Sequence, residues 1–174
     1  RVLGLENATN VTDANGIPAY NTAFVVEGGN VNDIAQAIFL KKTLGSPTFG
    51  STSVSVSDSY GNPQTIKFSR PVDVPNTVVI TLKALSGYTA ATGTAAAQAV
   101  VDYINALPLG GGPAKAVQWG DAIEQAKSVN GDKTFSLTSL TMKRGANAPA
   151  QADVALAFNE AASASLVTVT VVAT

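Results

Sequence analysis

Neither cysteine nor histidine occurs anywhere among the 174 residues. Without cysteine the chain has no disulfide and no thiolate nucleophile, and its redox compartment is left open. Without histidine it lacks the commonest general base, the commonest transition-metal ligand and the side chain that changes charge near neutral pH. Charge is scarce as well. Eleven basic and 12 acidic residues give a net charge of −1 and a charged fraction of 13%, well below the roughly 25% usual in soluble domains. The only adjacent basic pairs, Lys41-Lys42 and Lys143-Arg144, read as solvated helix ends or loops. The basic footprint that nucleic acid requires is missing, so no nucleic-acid partner is expected. No segment reaches the 18 or so uninterrupted apolar residues of a membrane span. The most apolar helical stretch, Ala95 to Leu107, is broken by Gln98, Asp102 and Asn105. The chain begins at Arg1 with neither an initiator Met nor a signal-peptide pattern, and is expected to be a fragment of a longer protein.

What is present is an ordinary apolar fraction, 45%, enough to build a core and to argue against disorder. At this length one full core or two small ones fit. Ser and Thr number 31 against 23 charged residues, so hydroxyls carry much of the polarity. A surface of that kind is weakly hydrated and repels itself little. It suits a protein packed against neighbours, a bias that many extracellular β proteins share.

The chain opens with a candidate strand, Val2 to Glu6, and a polar loop, Asn7 to Pro18, whose turn falls at Asp13-Ala14-Asn15-Gly16. A second strand, Ala23 to Glu27, closes on Gly28-Gly29. Val31, Ile34, Ala35 and Ile38 then recur at i, i+3, i+4 and i+7, one face of an amphipathic helix. Asn30 is its expected N-cap, Asp33 complements its dipole, and it should end near Thr43. Val54 and Val56 alternate with serines, and Ile66 and Phe68 alternate with Lys67 and Ser69. Asp58 to Pro63 is the hairpin turn between them, with Gly61 and Asn62 suited to positive φ.

Arg70 to Pro75, RPVDVP, marks the internal boundary, because two prolines four apart stiffen the backbone in extended geometry. Beyond it Val78, Ile80 and Leu82 alternate with Val79, Thr81 and Lys83, apolar enough on both faces for a central strand. A helix capped by Thr92 or Thr94 carries Ala97, Val100, Val101, Ile104 and Leu107, and ends at Pro108 and Gly110-Gly111-Gly112-Pro113. A further helix aligns Trp119, Ala122, Ile123 and Ala126. Phe135 and Leu137 begin a strand whose phase slips by Leu140 and Met142, predicting a bulge near Ser139. After a loop from Gly145 to Gln151 come strands at Val154-Leu156-Phe158 and Val167-Val169-Val171. The expected fold is α+β, with two small α/β-sandwich-like subdomains of mainly antiparallel sheets, residues 1–72 and 73–174.

Each candidate site has a plainer alternative. The Gly110 to Lys115 stretch lacks the GxxxxGK[ST] spacing and follows a helix, where a phosphate loop follows a strand, so it reads as a flexible link between helices. Asn7, Asp13 and Asn15 offer oxygens to a cation, but the spacing of a calcium loop and its terminal Glu are missing, and a turn with Asx hydrogen bonds fits better. Asn7-Ala8-Thr9 and Asn10-Val11-Thr12 match glycosylation sequons and read as exposed polar loop. No two of the 12 acids sit in a recognisable catalytic motif, and there is no G-x-S-x-G elbow. Trp119 is placed as a core anchor by its stripe with Ile123, rather than as a stacking platform. Neither catalytic residues nor a metal or cofactor site is expected. Candidate contact residues are the loop tips Asn15, Tyr60 and Tyr88, since exposed turn aromatics are over-used at interfaces.

Four stretches carry a resemblance. They are VLGLENATNVTDANGIPAYNTAFVVEGG, IAQAIFLKKTLGSPTFGSTSVSVSDSYGNPQTIKFSRP, VVDYINAL and the closing SLVTVTVVA. Their order and spacing resemble the C-terminal half of the baseplate J-like family of contractile-tailed phages, over nearly the whole chain. The resemblance implies a structural protein of the tail-baseplate wedge, located in the virion and made in the bacterial host cytoplasm. Other baseplate and tail proteins would be its partners. It implies no catalytic residues. The N-terminal half that family members usually carry is missing here. The isolated chain is therefore expected to be monomeric in dilute solution and oligomeric only in the assembled baseplate. A competing reading is a receptor- or carbohydrate-binding adhesion module, on the Ser/Thr-rich surface and aromatic loop tips. An enzyme is the third and is disfavoured.

Overall fold

The computed structural model describes residues 1–43, 45–129, 133–165 and 167–172. They form an α+β protein whose chain divides into two compact units, Arg1–Val72 and Asp73–Thr174.

In the first unit, β1 (Val2–Glu6) pairs antiparallel with β2 (Thr22–Val26), and Val2 faces Val26 across the ladder. Helix α1 (Val31–Lys41) starts where expected. The Asn30 side chain accepts hydrogen bonds from the amides of Asn32 and Asp33 at 2.8 and 3.4 Å, using donors that the first turn leaves without partners. A two-residue strand, β3 (Thr48–Phe49), joins β2 in parallel. It was not foreseen, because two residues are too few to show alternation. The hairpin of β4 (Thr52–Ser57) and β5 (Pro63–Phe68) sets Val54 against Ile66 and Ser53 against Lys67. Period-two alternation turns the apolar set to one side, where Val56, Ile66 and Phe68 pack with Ala35 and Ile38 of α1. Ile66 and Phe68 are almost fully buried, a contribution of about 1.5–3 kcal/mol each. The Arg70 guanidinium donates to the carbonyls of Val26, Gly28 and Gly29 and lies 5.4 Å from the Phe68 ring centre, tying the end of β2 to the end of β5.

The second unit is built on β6 (Val72–Ala84). The strand begins earlier than the proline pattern implies and runs through Pro75. Its pairing with β8 (Phe135–Arg144) starts only at Asn76, so the missing proline N–H interrupts no bond in that ladder. β8 runs antiparallel to β6, and β11 (Val167–Val172) runs parallel to the same stretch on the other side, Val167 facing Val78 and Val171 facing Leu82. β6 is therefore central, as its apolar content predicts. The register slips between Thr81 and Leu82, whose partners are Ser139 and Leu137, leaving Thr138 unpaired as the bulge residue. Two elements escaped the sequence reading. Strand β7 (Ala116–Val117) pairs with β9 (Val154–Ala155), and strand β10 (Glu160–Ser163) bonds to β6. The expected strand at Val154 to Phe158 thus stops at Ala155, and Phe158 lies in the turn before β10.

Helix α2 (Ala90–Ala106) is capped by Thr89 rather than Thr92 or Thr94. Thr89 is extended and its hydroxyl accepts from the Thr92 amide, whereas Thr94 turns its hydroxyl back to the Ala90 carbonyl. The buried stripe is accordingly Gly93, Ala96, Val100 and Ile104, with Ala97, Val101 and Leu107 half-buried beside it. Helix α3 (Trp119–Ser128) buries Ala122 and Ala126, and small residues on both helices let them approach each other. α2 packs on β10 and β11 and α3 on β8. Between helices and sheet lie Ile80, Leu82, Phe135, Leu140 and Met142, each at most 1% exposed.

The glycine run is the largest departure from expectation. Leu109–Ala114 is a short 3-10 segment in which Gly110, Gly111 and Gly112 all take positive φ, and the first two are buried. A Cβ on Gly111 would sit 2.4 Å from the Ala116 nitrogen. The flexible link is in fact a packed turn that only glycine fits.

Candidate functional site

The loop carrying Asn15 is organised by a buried amide. Asn7, 3% exposed, donates from Nδ2 to the carbonyls of Val11 and Ile17 at 2.8 Å and Pro18 at 3.1 Å. Its Oδ1 accepts from the amide and hydroxyl of Thr9. Every donor and acceptor of one side chain is thereby used to hold two arms of the loop together. The first sequon is therefore not exposed polar loop: its Asn7 nitrogen is committed inward, while Asn10 is exposed. Asp13 makes the expected Asx turn, accepting at Oδ1 from the amides of Asn15 and Ile17, both at 2.8 Å. Ile17 is fully buried beneath it and Asn15 stands exposed at the turn.

Tyr60 projects from the β4–β5 hairpin and is 90% exposed. The tip is rigid because the Asp58 carboxylate accepts from the amides of Tyr60 and Asn62, both at 2.9 Å. The Asn62 amide is the main reason that the Asp58 carboxyl lies below its usual range. Gly61 supplies the positive φ of the turn, 83°, and Asn62, also expected there, does not.

Tyr88 is not a free loop tip. Its ring meets Phe135 edge-on, with centroids 6.5 Å apart and planes at 80°, and it packs half-buried against the core of the second unit. Its hydroxyl lies over Gly93, where a Cβ would be only 2.4 Å away. The Ser86-Gly87 turn signal is genuine, but the aromatic after it folds inward. Among the described residues no hydrogen bond or ring contact links Asn15, Tyr60 and Tyr88; the first two belong to one unit and the third to the other.

Tyr20 was missed. It is 61% exposed with φ of 57°, a left-handed conformation that a bulky residue rarely takes. Its amide is held by the Thr9 carbonyl at 3.2 Å, so the Asn7-centred loop imposes the strain and turns the ring to solvent. Val11 of the same loop is equally exposed. No sequence pattern marks a left-handed tyrosine.

The ionisable groups are occupied structurally. Glu27 receives Nε and Nη2 of Arg1 at 2.6 and 2.8 Å, which holds its carboxyl down at about 2. Burial pushes Glu160 up, but Arg144 and the Ala157 amide outweigh it, and its carboxyl lies below the usual range. Asp102 accepts from Gln98, Asp153 caps α3 by accepting from the Trp119 amide, and Asp121 accepts from the Tyr103 hydroxyl at 3.2 Å. Burial, then the Asp121 charge, pushes Tyr103 up to about 12. With Asp13 and Asp58, seven of the 12 acids are thus engaged in caps, turns and ion pairs. Trp119 is the anchor that its stripe predicted: half-buried, it donates from Nε1 to the Leu140 carbonyl at 2.7 Å. Among the described residues no group of three acids is placed to hold a metal ion. Two concavities are an open groove of about 520 Å³ beside Tyr103, Leu107 and Pro108, and one of about 450 Å³ beside Arg144, Asn147 and Asp153. No described helix is long and apolar enough to cross a membrane.

No protein-family model matches the chain, and no curated protein matches it.

Proposed function

We propose that this chain is a structural domain of a phage tail baseplate, a wedge component of a contractile injection machine that acts through protein–protein contacts. The observation that carries the proposal is the ordered set of motifs described above, from VLGLENATNVTDANGIPAY to SLVTVTVVA. Three features of the chain are consistent with it. Its surface is poor in charge and rich in hydroxyls, seven of its 12 acids are committed to holding the fold, and its exposed aromatics sit on loops braced by Asn7 and Asp58. Rigid, amphipathic tyrosines lose little conformational entropy on docking, which suits permanent assembly. Baseplates are cyclic, so different patches of one subunit would meet different neighbours. Weak individual contacts would add through avidity in the ring. The partners are other baseplate and tail proteins, and the isolated chain is a monomer at micromolar concentration.

The test is electron microscopy of contractile-tail particles from the source strain, labelled with antibody raised against this chain. Label is expected at the baseplate end of the tail. Replacing Tyr60 by serine in the intact protein should leave its folding unchanged and reduce its incorporation. Unlabelled particles, together with saturable binding of the isolated chain on a glycan array, would replace the assembly proposal with the adhesion module.

A further inference from the structure

We infer that the outer edge of β11 is a docking site for a single extended strand of another protein chain, taken up by β-strand addition. The inference does not rest on the baseplate proposal. Among the described residues β11 pairs with β6 alone, so its far side presents unpaired N–H and C=O groups along Val167–Val172. A monomeric protein ordinarily guards such an edge with lysine, proline or a bulge, because it is a template for any extended chain. The strand VTVTVV has none of these: it is uncharged, free of proline, and paired to β6 without a register slip. Val171 and Val172 are 47% and 45% exposed, and Thr168 and Thr170 are exposed beside them.

The chemistry of the occupant follows from the edge. Backbone hydrogen bonds select an extended segment and no other shape. Val169 and Val171 flank it on the helix-covered face, and Thr168 and Thr170 on the other, so the segment alternates apolar and hydroxyl or β-branched residues and carries no charge. A second copy of this chain is the obvious alternative, but α2 stands in its way. α2 packs over β10 and β11 themselves, with Gly93 set above Val169. Two copies joined symmetrically edge to edge are antiparallel, with their helices on the same face. Their α2 helices would then lie about one strand spacing apart, about 4.8 Å, where packed helices need about 8–10 Å. The occupant is therefore a lone strand with no helix on that face.

The test is amide hydrogen exchange by NMR on the whole chain, alone and with a probe peptide of six alternating valines and threonines flanked by lysines. In the free chain one alternate set of β11 amides, either Val167, Val169 and Val171 or Thr168, Thr170 and Val172, should exchange fast while β6 protects the other. Probe peptide should slow the fast set at least tenfold at saturation, with a Kd of about 1 mM or tighter. The same peptide with proline at alternate positions should do nothing. Val171→Lys, at an exposed position, should keep the fold and weaken the probe by about fivefold, the worth of one good cross-strand pair. The inference is overturned by a fast set already protected in the free chain, by no slowing at several millimolar, or by slowing at β1 instead. Protection that grows with protein concentration alone, with dimer in sedimentation, would name a second copy as occupant and overturn the lone strand.

Discussion

Replacing Gly111 by alanine asks a methyl group to occupy space the chain already fills. The added Cβ would lie 2.4 Å from the Ala116 nitrogen, 3.0 Å from its oxygen and 3.1 Å from its Cα. Non-bonded atoms of this kind settle at about 3.5 Å, so Ala116 would have to withdraw by about 1 Å. It is not free to do so. Ala116–Val117 is paired with Val154–Ala155, the Lys115 carbonyl accepts from Leu156 at 2.8 Å, and Trp119 just beyond is anchored on Leu140. The residue also has φ of 72°, which costs a residue with a side chain about 1–2 kcal/mol. Overpacking against an immobile neighbour adds about 1–3 kcal/mol, for a total of about 3 kcal/mol. Urea unfolding followed by Trp119 fluorescence reads the loss, since the only tryptophan lies on the affected segment. With a slope of about 1.5 kcal/mol per molar urea, the midpoint should fall by about 2 M. Gly120→Ala is the paired control. Its Cβ would meet nothing within 4 Å, and it lies inside α3, so it should raise stability by about 0.5–1 kcal/mol. A Gly111→Ala midpoint within about 0.3 M of the parent, on the same slope scale, would refute the packed turn and restore the flexible link.

Two further perturbations follow. Asn7→Asp removes three donated hydrogen bonds and sets a carboxyl against three carbonyl oxygens, and should cost about 3 kcal/mol at pH 7 in thermal unfolding. Burial raises the new carboxyl above its unfolded value of about 3.9, so the deficit should shrink as pH falls through that raised value and level off below about 3.9; a deficit independent of pH would contradict the account. Glu27, held at about 2 against an ordinary value of 4.5, stabilises the fold above pH 4.5 and loses that contribution as pH falls toward 2. Glu27→Gln should flatten the stability profile across that window and lower stability at pH 7 by the same amount, at most about 1 kcal/mol because the pair is partly exposed. An unaltered acid slope would show that Arg1 does not hold Glu27 in solution.

The first unit was the more legible of the two because its signals are local. Asn30 announces α1, the valine–serine alternation announces β4, and Asp58 with Gly61 announces the hairpin, each within a few residues. The second unit depends on pairings far apart in sequence. β7 and β9 are two residues long and exist only because they meet each other, so neither carries a period of its own. The N-cap of α2 moved to Thr89 because three threonines competed and packing on β10 and β11, not propensity, decided which turn came first.

The candidate contact residues divide along the same line. Asn15 and Tyr60 stand exposed as expected because a turn signature and exposure coincide where the chain reverses alone. Tyr88 follows an equally good signature, but a ring beside Gly93 and Phe135 has a buried alternative that only the assembled unit provides. Tyr20 shows the converse. Its exposure is imposed by Asn7, 13 positions earlier, through bonds to other residues' carbonyls. The β11 edge was legible as a strand and illegible as an edge, since VTVTVV reads alike whether one side or both are paired. Sequence thus reports what a residue prefers locally. Whether the preference ends on the surface or beneath it is settled by partners many residues away, and docking surfaces are defined by that second step.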